Sequence, residues 1–275
     1  MTIGSLFSGI IGGLELGLEW AGLGPTLWQV EREPFCRVVL EKHWPEARRF
    51  DDVCAVGAAE LAPVDLICGG FPCQDVSSAG SRAGLAGARS GLWREFARIV
   101  SELRPSWVVV ENVTSGARRW VDAVVSDLGQ LGYACLPIPV RADALGAPYQ
   151  RARVFVVALA RASGDDRGQQ PEAARVASRT REAPDAHGSE LRQQPGRWGR
   201  ARGQGAPVAS VNRWREPMPP VGGMVPGAAD GLARRAGGNC VVPQCAEVVG
   251  WVIRELLETG AGWEDDPAPG GESNG

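Results

Sequence analysis

Histidine is almost missing from this chain, with two among 275 residues, and none of its seven cysteines forms a Cys-x-x-Cys pair. Zinc sites are assembled from closely spaced cysteine and histidine ligands, so no metal site is expected. A strong net charge is missing too. The formal balance is −3, so overall charge announces neither a nucleic-acid nor a membrane partner. No apolar run approaches the ~20 residues that cross a bilayer. The amino terminus opens directly into an apolar strand, without the basic stretch and hydrophobic segment of a secretory leader. The expectation is a soluble chain of a reducing, cytoplasmic compartment with no membrane partner.

Hydrophobic residues make up 44% of the chain, enough for a real core. The length allows one large domain, or a domain with a small companion. Strand and helix signals alternate from the start. Ile3–Phe7, Thr26–Val30, Val64–Cys68, Trp107–Val110 and Val154–Leu159 read as strands. Gly13–Trp20, Pro34–His43 and Val121–Leu131 read as helices, and Leu92, Phe96, Ile99, Val100 and Leu103 fall on one helical face. Proline at the start of the second helix costs little, because the first N–H of a helix has no partner anyway. This alternation predicts an α/β fold: a mostly parallel sheet with helices on both faces. The pattern breaks at residues 161–210, which are dense in Gly, Arg, Gln, Ser and Pro and too poor in apolar side chains to bury a core of their own. Residues 161–215 hold 11 Arg against 6 Asp plus Glu. Composition alone leaves open a phosphate-binding patch or a solvated loop. An amphipathic helix returns at 244–257. The expected organisation is a domain over 1–160, an irregular region over 161–235, a segment over 236–258 that packs back on the first domain, and a flexible tail over 259–275.

One short stretch points to chemistry. Gly69-Gly70-Phe71-Pro72-Cys73-Gln74 follows the strand ending at Cys68. A cysteine held by proline just past a buried strand lies at the carboxyl edge of the sheet, where ligands of open α/β sheets gather. Four further stretches stand in order around it: Ser5-Leu6-Phe7-Ser8-Gly9 with Gly12-Gly13, Glu111-Asn112-Val113, Gln150-Arg151-Ala152-Arg153, and Gly238-Asn239-Cys240-Val241-Val242-Pro243-Gln244. Together they resemble the motifs of the DNA (cytosine-5) methyltransferases of bacteria and phages, over roughly residues 3–159 and 236–253. Two departures stand out. The family's Phe-x-Gly-x-Gly-Gly loop here carries one extra residue, Phe7-Ser8-Gly9-Ile10-Ile11-Gly12-Gly13, and Tyr149 takes the place of a glutamine before the arginine motif.

The resemblance implies a Rossmann-like, S-adenosylmethionine-dependent methyltransferase fold with a small irregular target-recognition region at 161–235. It implies double-stranded DNA as partner, a cognate restriction endonuclease as functional companion, and a monomer. Cys73 would be the nucleophile, adding to carbon 6 of a flipped-out cytosine. Glu111 would serve N3 of the base, and Arg151 and Arg153 its carbonyl. The cofactor would lie against Phe7, Ser8, Gly9, Ile10, Gly12 and Gly13, with Glu31 on ribose hydroxyls, Asp52 near the adenine amino group, and Pro72, Asn239 and Val241 completing the site. Gln74, Ser77, Arg82 and Arg89 would meet DNA. Two rival readings stand beside this one: an inactive homologue, suggested by the extra loop residue, and an RNA methyltransferase using the same cysteine chemistry.

Overall fold

The computed structural model describes residues 1–72, 91–161 and 240–259. A seven-stranded sheet forms its centre, built from β1 (Ile3–Leu6), β2 (Thr26–Val30), β3 (Arg48–Phe50), β4 (Leu66–Gly69), β5 (Trp107–Val113), β6 (Tyr133–Arg141) and β7 (Ala152–Ala160). Among the described residues five α-helices accompany it: α1 (Gly13–Trp20), α2 (Pro34–His43), α3 (Gly91–Leu103), α4 (Ala117–Gln130) and α5 (Pro243–Thr259). The strand order is β3-β2-β1-β4-β5-β7-β6. The first five of these strands run parallel, and β7 is antiparallel to both β5 and β6. The chain reverses its direction of winding between β1 and β4, and the crevice above that pair is where an α/β sheet of this kind offers a ligand site.

The central strands β1, β4 and β5 and the middle of β7 are runs of buried residues because both faces of the sheet are covered there. On one face, Leu6, Ile67, Val108, Val110 and Val156 pack against Trp93, Phe96 and Ile99 of α3 and Trp120, Val124 and Leu128 of α4. On the other, Ile3, Leu66, Val109 and Val157 meet Leu14 and Leu18 of α1 and Val242, Cys245, Ala246, Val249 and Ile253 around α5. Alternate residues along each strand serve opposite faces. The same alternation decides which polar side chains share a face at the functional edge.

Three features differ from the sequence reading. β3 and β6 had no strand signal, and β5 runs on through Glu111 to Val113. Strand β6 carries Pro137 and Pro139, and prolines argue against a central strand. They are tolerated here because β6 is the outermost strand, and both are exposed. The expected regions 161–235 and 259–275 lie almost wholly outside the described residues. Within those residues, no helix is long and apolar enough to cross a membrane.

Candidate active site

Strand β4 delivers the chain through Gly70, Phe71 and Pro72 toward position 73. Phe71 is buried, its ring 5.5 Å from that of Trp93 and 6.2 Å from that of Trp120. Asn112 Nδ2 donates to the Phe71 carbonyl at 3.0 Å, and Asn112 Oδ1 accepts from the Val113 N–H at 2.8 Å. The backbone entering position 73 is therefore clamped from both sides: by aromatic packing and by a buried amide. Pro72 is exposed at the end of this segment.

Glu111 stands on the neighbouring strand, with 6% of its surface exposed. In the antiparallel register of β5 and β7, Glu111 faces Phe155 and Val113 faces Arg153. Glu111 and Arg153 are thus diagonal neighbours on one face, and Arg153 Nε lies 2.8 Å from Glu111 Oε1. Burial pushes the Glu111 carboxyl up to about 7, while Arg153 and Arg151 pull the other way. Desolvation wins, so the group gains and loses its proton near neutrality. A Cβ on Gly70 would stand 2.7 Å from Glu111 Oε2. The glycine before Phe71 makes room for this carboxyl. Arg151 Nη2 donates to the Cys240 carbonyl, joining the arginine motif to the start of the C-terminal segment.

The loop between β1 and α1 completes the edge. Phe7, Gly9 and Gly12 have positive φ of 58°, 68° and 53°, so the turn bends through left-handed conformations that glycine adopts without strain. Glu31, at the end of β2, accepts from the Gly9 N–H at 2.8 Å and from the Glu33 N–H at 2.9 Å. Ile10 and Ile11 are both buried, beside Phe35, Cys36 and Val39, and the Cys240 thiol takes hydrogen bonds from their backbone N–H groups. The loop that carries the extra residue thus packs its two isoleucine side chains against α2 and turns their backbone toward Cys240. Among the described residues a side chain at Gly9 would meet nothing within 4 Å, so the turn is open there toward them. At Gly13 a Cβ would strike the Val241 carbonyl, which makes glycine necessary where the C-terminal segment crosses the helix start. Asp52, exposed beyond β3, accepts from the Cys54 N–H at 2.9 Å and caps the short 3₁₀ turn Val53–Ala55.

The sequence profile described as C-5 cytosine-specific DNA methylase matches residues 1–190. The chain belongs to that family. It is 37% identical over 166 residues to the Type II methyltransferase M2.BsuMI of Bacillus subtilis, a match covering 58% of this chain and 42% of that protein. It is 34% identical over 175 residues to the Type II methyltransferase M.AquIA of Picosynechococcus, covering 56% of this chain and 69% of the relative. Among solved structures, a Spodoptera frugiperda DNMT2 mutant matches with a TM-score of 0.47 and 20% identity, over 62% of this chain and 53% of that one. The chain thus spans less than half the length of the first of these relatives.

Of the residues singled out in the sequence of this methylase-family chain, Glu111, Arg151, Arg153, Phe7, Gly9, Glu31, Asp52 and Pro72 gather along the carboxyl edges of β1 to β5 and the start of β7. Val241 lies against Gly13. Ser8 and Ile10 turn their side chains inward, Ser8 toward Ser5 and Ile10 into the core, so only their backbone faces the open side of the loop. Cys73, Gln74, Ser77, Arg82, Arg89 and Asn239 lie outside the described residues. Sequence reasoning assigned no task to Asn112, Gly70 or Cys240. Asn112 and Cys240 sat inside quoted motifs, and the signal for Gly70 was its place between a strand and the Phe-Pro-Cys segment. Among the described residues no group of His, Cys, Asp and Glu is placed to hold a metal.

Proposed function

We propose that this chain is a DNA (cytosine-5) methyltransferase that uses Cys73 as nucleophile and S-adenosylmethionine as methyl donor. The carrying observation is Glu111. A buried carboxyl poised near pH 7 stands beside the clamped backbone that leads to Cys73, where proton exchange with a heterocycle is useful.

The chemistry requires such a pair. Carbon 5 of cytosine is a weak nucleophile until a thiolate adds at carbon 6 and breaks the aromatic ring. Cys73 supplies that thiolate. Charge then builds toward N3, and Glu111, in its protonated form, donates there. Arg153 holds the Glu111 carboxyl in place and offers donors that stay charged at every working pH. After carbon 5 has gained its substituent and lost its proton, the Cys73 thiolate leaves and the ring is restored. A base stacked in a duplex presents neither carbon to such a site, so it must be flipped out, at a cost of a few kcal/mol.

The cofactor fits the edge described above. The open turn at Gly9 offers close backbone approach. Glu31 and Asp52, at the ends of β2 and β3, would accept from a nucleoside's hydroxyl and amino groups. Phe7, the backbone of 8–13, Pro72, Asn239 and Val241 would complete the binding site. When bound, S-adenosylmethionine supplies an electrophilic methyl group. Gln74, Ser77, Arg82 and Arg89 would hold the target strand, and the arginine-rich region 161–235 would read the sequence. The Type II methyltransferase relatives support a setting beside a restriction endonuclease.

Covalent trapping tests the proposal. The protein is incubated with S-adenosylmethionine and duplex DNA containing 5-fluorocytosine, beside Cys73→Ala. Fluorine cannot leave as a proton does, so a denaturation-resistant, Cys73-dependent adduct is expected. Folded protein that forms no adduct across a pool of all short sequences would overturn the reading.

A further inference from the structure

Beneath the loop between β1 and α1 lies a polar cluster that none of the chemistry above uses. Ser5 of β1 is in register with Gln29 of β2 and with Cys68 of β4. The three side chains form a polar row across the sheet on the face covered by α1. Glu15 of α1 packs onto that row with no exposed surface. Gln29 Nε2 donates to Glu15 Oε1 at 3.3 Å, and Ser8 Oγ donates to Ser5 Oγ at 2.9 Å. Ser8 belongs to the loop itself, so the row reaches the backbone that borders the open turn at Gly9.

The supply of donors in this cluster is short. Glu15 Oε2 and Gln29 Oε1 are both buried without a hydrogen-bond donor of good geometry among the described residues, although the Ser5 and Ser8 hydroxyls lie close enough to favour the charged form of Glu15. No cation of the described residues contributes at Glu15. An ionised carboxylate here would be buried with neutral donors and no cation to offset its charge, in a cluster already rich in acceptors, which is unfavourable. A proton on Glu15 removes one unfilled acceptor and supplies the missing donor. Burial pushes the Glu15 carboxyl in the same direction.

We propose that Glu15, held as a neutral carboxylic acid, is a positioning residue for the cofactor loop, fixing Ser8 and the turn beyond it from beneath. This inference rests on the reading of that loop as the S-adenosylmethionine site. Glu15 touches no reacting atom. It acts by joining α1 to the polar row, so that the open side of Gly9 stays set against Glu31.

Calorimetric titration of the full chain with S-adenosylhomocysteine tests it, and the unsubstituted protein is measured first. If that protein is folded and does not bind, the cofactor reading fails, independently of Glu15. If it binds, Glu15→Gln, a neutral isostere, is expected to stay within about twofold. Glu15→Ala and Ser8→Ala are each expected to weaken binding by about tenfold, near 1.4 kcal/mol. In turnover, KM for the cofactor should rise with kcat little changed, a split that a general loss of folded protein would not give. A Glu15→Gln protein that is folded but binds tenfold more weakly, or that does not fold, overturns the neutral-acid inference. Unchanged binding in both alanine variants overturns the positioning role. Should Glu15→Ala itself fail to fold, the Glu15→Gln and Ser8→Ala proteins still decide between these outcomes.

Discussion

Glu111 and Arg153 show how two side chains set each other's chemistry. Each was legible in the sequence as part of a motif, but their pairing was not, because it depends on the antiparallel register of β5 and β7. Asn112 escaped notice for a similar reason: its task is to hold the Phe71 carbonyl, a contact across 41 residues. The Glu111 carboxyl is raised from 4.5 to about 7 by burial, against the lowering pull of Arg153. A raised carboxyl is protonated below that value and ionised above it. If the acid form serves N3, kcat/KM should fall as pH rises through about 7. Replacing Arg153 by Met removes the lowering charge, so the alkaline limb should move upward, alongside a loss in overall rate of about 10²-fold, as is typical when a general acid loses its support. A profile of kcat/KM from about pH 6 to about pH 9 checks this, and a limb that stays in place or moves down would count against the assignment. Stability has the same sign. The contribution of Glu111 is complete below the unfolded carboxyl value and declines as pH rises toward about 7.

Between elements, glycines decide how closely two helices approach. At Gly17 of α1, a Cβ would collide with the Pro243 carbonyl and crowd Ala246 Cβ and the Glu247 N–H at the start of α5. Gly250 of α5 meets Ala21 in the same way. The helical pattern of both segments was readable from spacing, as were α2 and β2 to their ends, because local periodicity carried them. The contact between α1 and α5 was not readable, since more than 220 residues separate them. Strand β6 failed for another physical reason: Pro137 and Pro139 carry no interior-strand signal, and only the edge position of β6 in the sheet order makes them acceptable. Gly17→Val should force α1 and α5 apart, with a loss of stability of about 2–4 kcal/mol, as for overpacking that the backbone cannot relieve. Thermal unfolding followed by circular dichroism checks the loss, and a midpoint unchanged from the parent would show that the two helices slide freely.

For the whole molecule, the C-terminal segment is as much a part of the core as the first strand. Without the segment expected to pack back on it, 236–258, the expected first domain, 1–160, would cover the α1 face of the sheet with little more than Leu14 and Leu18 of α1. In the structure that face is closed by Val242, Cys245, Ala246, Val249 and Ile253, all buried against Leu14, Leu18, Leu66 and Trp107. Covering each large aliphatic side chain is worth roughly 1.5–3 kcal/mol, and a domain of this size is stable by only about 5–15 kcal/mol. Removing three valine or isoleucine side chains together would consume much of that margin, before counting the sheet face left bare. The same segment brings the Cys240 carbonyl to Arg151 and the Val241 carbonyl against Gly13, so the fold and the functional edge depend on it together. A chain ended after residue 239 should therefore lose its cooperative thermal transition and collect in the insoluble fraction. Supplying residues 240–259 as a separate peptide should restore part of the transition, because the contacts are made by one continuous segment, an amphipathic helix and the three residues before it. A truncated chain that unfolds cooperatively near the parent midpoint would mean that the sheet closes its exposed face without α5, and that the 1–160 boundary marks an independent folding unit.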